Sequence, residues 1–205
     1  MTLDISRRCS VEIAVADLIE DYGIVHYPLD VSALIARMGI SISGYEDLPS
    51  SVRPIAESLS RDAFSTNNAS FTKPRVYVRQ SVRPFSRIAF SLAHELGHIW
   101  LEHGEGGALA EEEADYFGGY LLAPHPFILI NHMNPCDVVK AFALGGWSAE
   151  IACRQADERR RCGPRNWAEH ERRLLDGAVL DSMEPSVRRA SFTTVRGGIS
   201  EVGLV

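Results

Sequence analysis

The sequence predicts an α+β fold, mostly helical, with one small β-sheet and a helical segment at its C-terminal end. Three observations carry this. Apolar residues recur at i, i+3, i+4 and i+7 in several separate stretches. Short alternating segments, bounded by Gly, Ser and Asn, lie between them. The run Ser91–His98 then places an H-E-x-x-H pattern inside a strongly helical phase.

Composition limits the architecture. With 205 residues, 45% hydrophobic, the chain suits one compact domain with a small helical appendage. The expected division is a core over 1–125, a helical segment over 126–177 packed on it, and a tail over 178–205, disordered or adding a strand at Ala190–Val195. A formal charge of −6 argues against a nucleic-acid-binding body. No apolar run reaches the length of a membrane span, and the N-terminus lacks a signal peptide's apolar core. A cytoplasmic protein is expected. Cys9, Cys136, Cys153 and Cys162 form no C-x-x-C pair and read as free thiols.

In chain order, residues 1–9 read as a loose lead-in. Ser10 is expected to cap a helix running to about Tyr22, with Val11, Ala14, Val15, Leu18, Ile19 and Tyr22 as its inner stripe. His26 falls in a loop. Asp30 caps a second helix that ends at Gly39. Ile40–Ser43 alternates as a short strand, and residues 45–60 read as loop with a turn of helix. Asp62–Thr66 and Arg75–Arg79 form two strands joined by the turn-rich Asn67–Ser70. The second of these is the expected sheet edge, open to an extended peptide through main-chain hydrogen bonds, with Tyr77 beside it.

The next stretch, Arg87–Pro124, organises the chain. On a helix, His94 and His98 lie one turn and about 40° apart, so both imidazoles can reach one metal ion. Ile88, Leu92, Leu96 and Ile99 fall on the opposite side. Gly97 flanks the histidines, where a side chain would crowd the site. His103, nine residues past His94, falls roughly opposite it on a straight helix and reads as a helix end. Two histidines on zinc need a third protein ligand and one open position. Glu111, Glu112 and Glu113 compete for that role. With Ala110, Ala114, Phe117 and Leu121 marking the core side, Glu113 lies nearest it, while Glu111 and Glu112 suit a solvated first turn.

Beyond Pro124 the chain reads as helices over Phe127–Ile130, Asp137–Leu144 and Ser148–Arg161. The last two have helix-turn-helix spacing, with Arg154, Arg159, Arg160, Arg161 and Arg165 on one side. In an acidic chain such a run reads as a solvated face or a protein-docking surface before a DNA-reading one. Asn166 and Glu169 form an expected capping box for a last helix to about Leu175.

Arg87–His98, Glu113–Phe117 and Leu121–Pro124, with Tyr27–Ile40 upstream, together resemble the ImmA/IrrE family of metallopeptidases. The resemblance covers roughly residues 10–125. It implies a zincin-like fold and a zinc endopeptidase that cleaves a helix-turn-helix (XRE-type) repressor. It also implies His94, His98 and Glu113 as ligands and Glu95 as the catalytic residue. The chain departs from the family at Gly118-Gly119, where alanine is usual, and at Ala123, where methionine is common.

In such a centre zinc lowers the pKa of bound water, Glu95 carries the proton, and a further donor stabilises the oxyanion. Tyr77, Tyr116, Tyr120 or an arginine are candidates for that donor. Two other classes are an antirepressor that docks its repressor without turnover and a DNA-binding regulator acting through residues 137–165.

Overall fold

The computed structural model describes residues 3–66, 74–79, 81, 84–104 and 107–180. Its first helix, α1 (Ile5–Asp21), starts earlier than expected, because the Asp4 carboxylate accepts from the Arg7 amide and caps it there. Ser10 instead lies inside the helix, its hydroxyl donating to the Ser6 carbonyl. Val11, Val15, Leu18 and Ile19 are buried, as their spacing predicted. Asp30 caps α2 (Val31–Arg37) by accepting from the Ala33 amide. Gly39 follows at φ +72°, the left-handed conformation that ends a helix cheaply only with glycine.

Strand β1 (His26–Tyr27) pairs in parallel with β5 (Val179–Leu180). His26 is therefore in a strand, not a loop. The chain past Gly177 returns to the core for at least these residues. The strand expected at 190–195 lies outside the described residues.

The main sheet holds β2 (Ser41–Gly44), β3 (Ala63–Thr66) and β4 (Arg75–Val78), in the order β2-β4-β3. β4 runs parallel to β2 and antiparallel to β3. Val76 and Val78 are buried, and Tyr77 on the other face stacks on Phe64 at 4.9 Å. The expectation of β4 as the edge strand is corrected: both its sides are paired, and β3 is the edge next to the histidine helix. Strand alternation fixes which side chains share a face but not which neighbour each strand takes. Residues 45–60 hold a 3₁₀ turn and α3 (Arg53–Leu59). The expected turn at 67–70 lies outside the described residues.

Two helices form the centre: α4 (Phe85–Trp100) and α5 (Ala108–Leu122). They pack closely because each has a glycine at the contact. A Cβ on Gly97 would meet Ala114 and Phe117 at 3.1–3.2 Å, and one on Gly118 would meet the His94 amide nitrogen at 3.0 Å. Gly97 thus serves the helix contact and not, as expected, the space around the ligands.

The remaining helices are α6 (His125–Ile130), α7 (Pro135–Phe142), α8 (Gly146–Cys162) and α9 (Glu169–Gly177). Their buried Phe127, Val138, Ala149 and Leu174 join one hydrophobic cluster with Val15, Leu96 and Phe117. The cap of α9 differs from expectation. Asn166 does not cap it; the Glu171 carboxylate turns back to accept from the Ala168 amide. Glu171, only 1% exposed, also takes a two-point ion pair from Arg159 at 2.6 and 2.7 Å. One arginine of the expected basic side therefore faces inward. Among the described residues no helix is long and apolar enough to cross a membrane.

Candidate metal centre

His94 and His98 project from α4 with their Nε2 atoms 3.0 Å apart. The helical turn alone brings this about. Leu92, Ala93 and Leu96 are buried on the other side, so the histidine side faces out of the core. The third group comes from α5. A Glu111 carboxylate oxygen lies 3.4 Å from the His94 Nε2, and the other 3.5 Å from the His98 Nε2. A tetrahedral site with arms of about 2.0–2.1 Å has ligand-to-ligand edges of about 3.3 Å. The three observed separations bracket that value. Two imidazoles and a carboxylate also match the donor chemistry of a metallopeptidase, so His94, His98 and Glu111 can hold a metal ion.

Glu113 does not join them. One of its oxygens lies 2.7 Å from the Arg7 guanidinium and the other 3.2 Å from the His103 Nε2. The expectation of Glu113 as third ligand is therefore corrected to Glu111. The apolar pattern located the core side of α5 but not the flank along which α4 passes. The contact with α4 centres on Ala114, the residue over Gly97. From there Glu111 lies about 60° to one side and Glu113 about 100° to the other. The histidines stand on the Glu111 side. Glu112 points to neither.

Asp115, one turn after Glu111, has no role in the sequence reading. Its Oδ1 lies 2.8 Å from the His94 Nδ1, so it accepts from that ring and turns Nε2 toward the centre. The E-x-x-x-D spacing of Glu111 and Asp115 was the available signal, since it puts both on one helix face. Burial works against a charged His94 ring, but the hydrogen bond and charge of Asp115 outweigh it and push the ring's pKa up. Burial and the neighbouring His94 charge hold His98 down.

Glu95 is 7% exposed and lies toward β3, where Ser65 hydrogen-bonds its carboxyl. Burial pushes that carboxyl up, with the Ser65 bond opposing. The side chains of Glu111 and Asp115 are largely exposed, which leaves the centre open on that side.

Two oxyanion candidates face elsewhere. The Tyr116 hydroxyl donates to Glu12 at 2.6 Å on the opposite side of α5, and Tyr120 is buried against His125. Tyr77 is engaged in its stack with Phe64.

Residues 53–141 match a family model, Peptidase_M78, described as the IrrE N-terminal-like domain. That span holds α3, the paired strands β3 and β4, and both helices of the centre. No curated protein and no solved structure matches the chain. The family match over residues 53–141 and the convergence of His94, His98 and Glu111 agree, and together they support an ImmA/IrrE-type metallopeptidase.

Proposed function

We propose that this protein is a zinc-dependent endopeptidase acting in the cytoplasm on a helix-turn-helix (XRE-type) transcriptional repressor. The observation that carries the hydrolytic reading is Glu95, buried on the same helical turn as the two histidines that converge with Glu111 of α5. The family match supports metallopeptidase chemistry, and the choice of substrate follows the family resemblance.

His94, His98 and Glu111 would hold the ion. Zinc suits two imidazoles and a carboxylate, and when bound it polarises a carbonyl and acidifies water. Asp115 holds His94 in the tautomer that presents Nε2. Glu95 takes the proton of the attacking water and returns it to the departing amine. The edge of β3 can receive an extended peptide by main-chain pairing, beside the Glu95 carboxyl.

The test is co-incubation with purified helix-turn-helix (XRE-type) repressors, with fragments read by mass spectrometry. Wild-type protein should cut at least one of them. Glu95→Gln should keep the fold and the metal and lose cleavage by several orders of magnitude. A Glu95→Gln protein that still relieves repression at full strength would mean docking without turnover.

A further inference from the structure

α4 ends in a way that a straight helix would not suggest. The Glu102 amide donates to the Ile99 carbonyl and the His103 amide to the His98 carbonyl, with Glu102 at φ +55°. These two bonds define a Schellman ending, which brings the second residue past the cap back against the third residue before it. Here those residues are His103 and His98. Their Nδ1 atoms lie 3.0 Å apart. His103 Nε2 then lies 3.2 Å from Glu113, whose other oxygen meets Arg7 at 2.7 Å.

We propose that Arg7, Glu113 and His103 form a positioning chain that holds His98 in the tautomer competent to bind metal, an inference that rests on the metal reading above. The direction of the chain follows from its far end. A carboxylate paired with a guanidinium only accepts, so His103 presents its proton to Glu113 from Nε2. The His103 Nδ1 is then an acceptor. His98 must donate to it from Nδ1, which leaves the His98 Nε2 lone pair facing His94 and Glu111. If the chain were reversed, the His98 Nε2 would carry a proton where a metal must bind. The chain does for His98 what Asp115 does for His94. It also ties the first turn of α1 to the centre.

The test measures Zn²⁺ affinity of metal-stripped protein by competition with a chromophoric chelator. Removing such an outer partner typically weakens metal binding 10–100-fold. His103→Leu should fall about that far, whereas His103→Asn, which keeps an acceptor and a donor, should stay within about threefold of wild type. His94→Ala should lose much more. Glu113→Gln can donate to His103 and reverse the chain, so it should lose affinity like His103→Leu; it carries the comparison if the leucine variant does not fold. A second readout needs no metal. Ring-nitrogen NMR of metal-free wild-type protein should place the His98 proton on Nδ1 and the His103 proton on Nε2. A His98 Nε2–H there overturns the chain. So does His103→Leu or Glu113→Gln with wild-type affinity, or His103→Leu as weak as His94→Ala, which would make His103 a ligand. If wild-type protein binds no Zn²⁺, the metal reading fails, and the ring-nitrogen assignment alone decides the chain.

Discussion

Replacing Gly118 with alanine tests the helix contact that brings α5 to the histidines. The added Cβ would lie 3.0 Å from the His94 nitrogen, 3.2 Å from the Ala93 carbonyl carbon and 3.4 Å from the His94 Cα. These are backbone atoms of α4, so relief requires the helices to part by a few tenths of an ångström. Overpacking of this kind costs about 1–3 kcal/mol. Alanine recovers about 1 kcal/mol over glycine in a helix interior. The net expectation is a loss of about 0–2 kcal/mol. Gly119 is the control. Its Cβ would meet nothing within 4 Å, so Gly119→Ala should gain about 1 kcal/mol. The two variants should therefore differ by about 1–3 kcal/mol in urea unfolding of metal-free protein, or roughly 2–4 °C in Tm for each kcal/mol at this chain length. Gly118→Ala should also weaken Zn²⁺ binding, because it moves His94 relative to Glu111, and Gly119→Ala should not. Equal stability of the two variants would refute the account of the α4–α5 contact.

Further outcomes follow from other parts of the structure. Glu111→Ala should abolish tight Zn²⁺ binding while Glu112→Ala leaves it unchanged; a titration of both checks the ligand assignment. Arg159→Leu leaves the Glu171 carboxylate buried without its partner and should cost about 3–5 kcal/mol in urea unfolding. Glu12 supplies an acid-sensitive element. Burial alone would push its carboxyl up, but the His170 hydrogen bond, the His125 charge and the Tyr116 hydroxyl together hold it below its ordinary 4.5. A depressed carboxyl stabilises the fold above its unfolded-state value, and that stability is lost as pH falls through the folded-state value. Burial holds His125 below 6.5, so it too favours the unfolded chain as pH falls under that value. Glu12→Gln should flatten the carboxylate part of the stability profile below about pH 4.5 and, because the Glu12 charge holds His125 up, extend the His125 slope toward lower pH, read by urea unfolding across pH.

What was legible in the sequence is what local geometry dictates. The spacing of His94 and His98 is a property of one helical turn, and the apolar phase of α4 puts them away from the core wherever that helix packs. Asp30 caps α2 through its own backbone neighbours, and the two strands around Phe64 and Val76 follow from alternation. The family motif rested on the same short-range pattern. What the tertiary structure decided is which flank of each element meets a neighbour. Glu111 and not Glu113 reaches the histidines because α4 crosses α5 over Ala114, and an apolar stripe does not reveal the side on which the partner's ligands stand. His103 reaches His98 because Glu102, a residue other than glycine, takes a left-handed conformation that no helical wheel contains. Among the described residues β3 and not β4 is the edge beside α4, because β2 takes the far side of β4, a pairing between strands more than thirty residues apart in the chain. Arg159 turns inward because α9 brings Glu171 to it. In each of these cases the side chain's role depends on an element distant in sequence, and periodicity within one segment carries no information about that element's position.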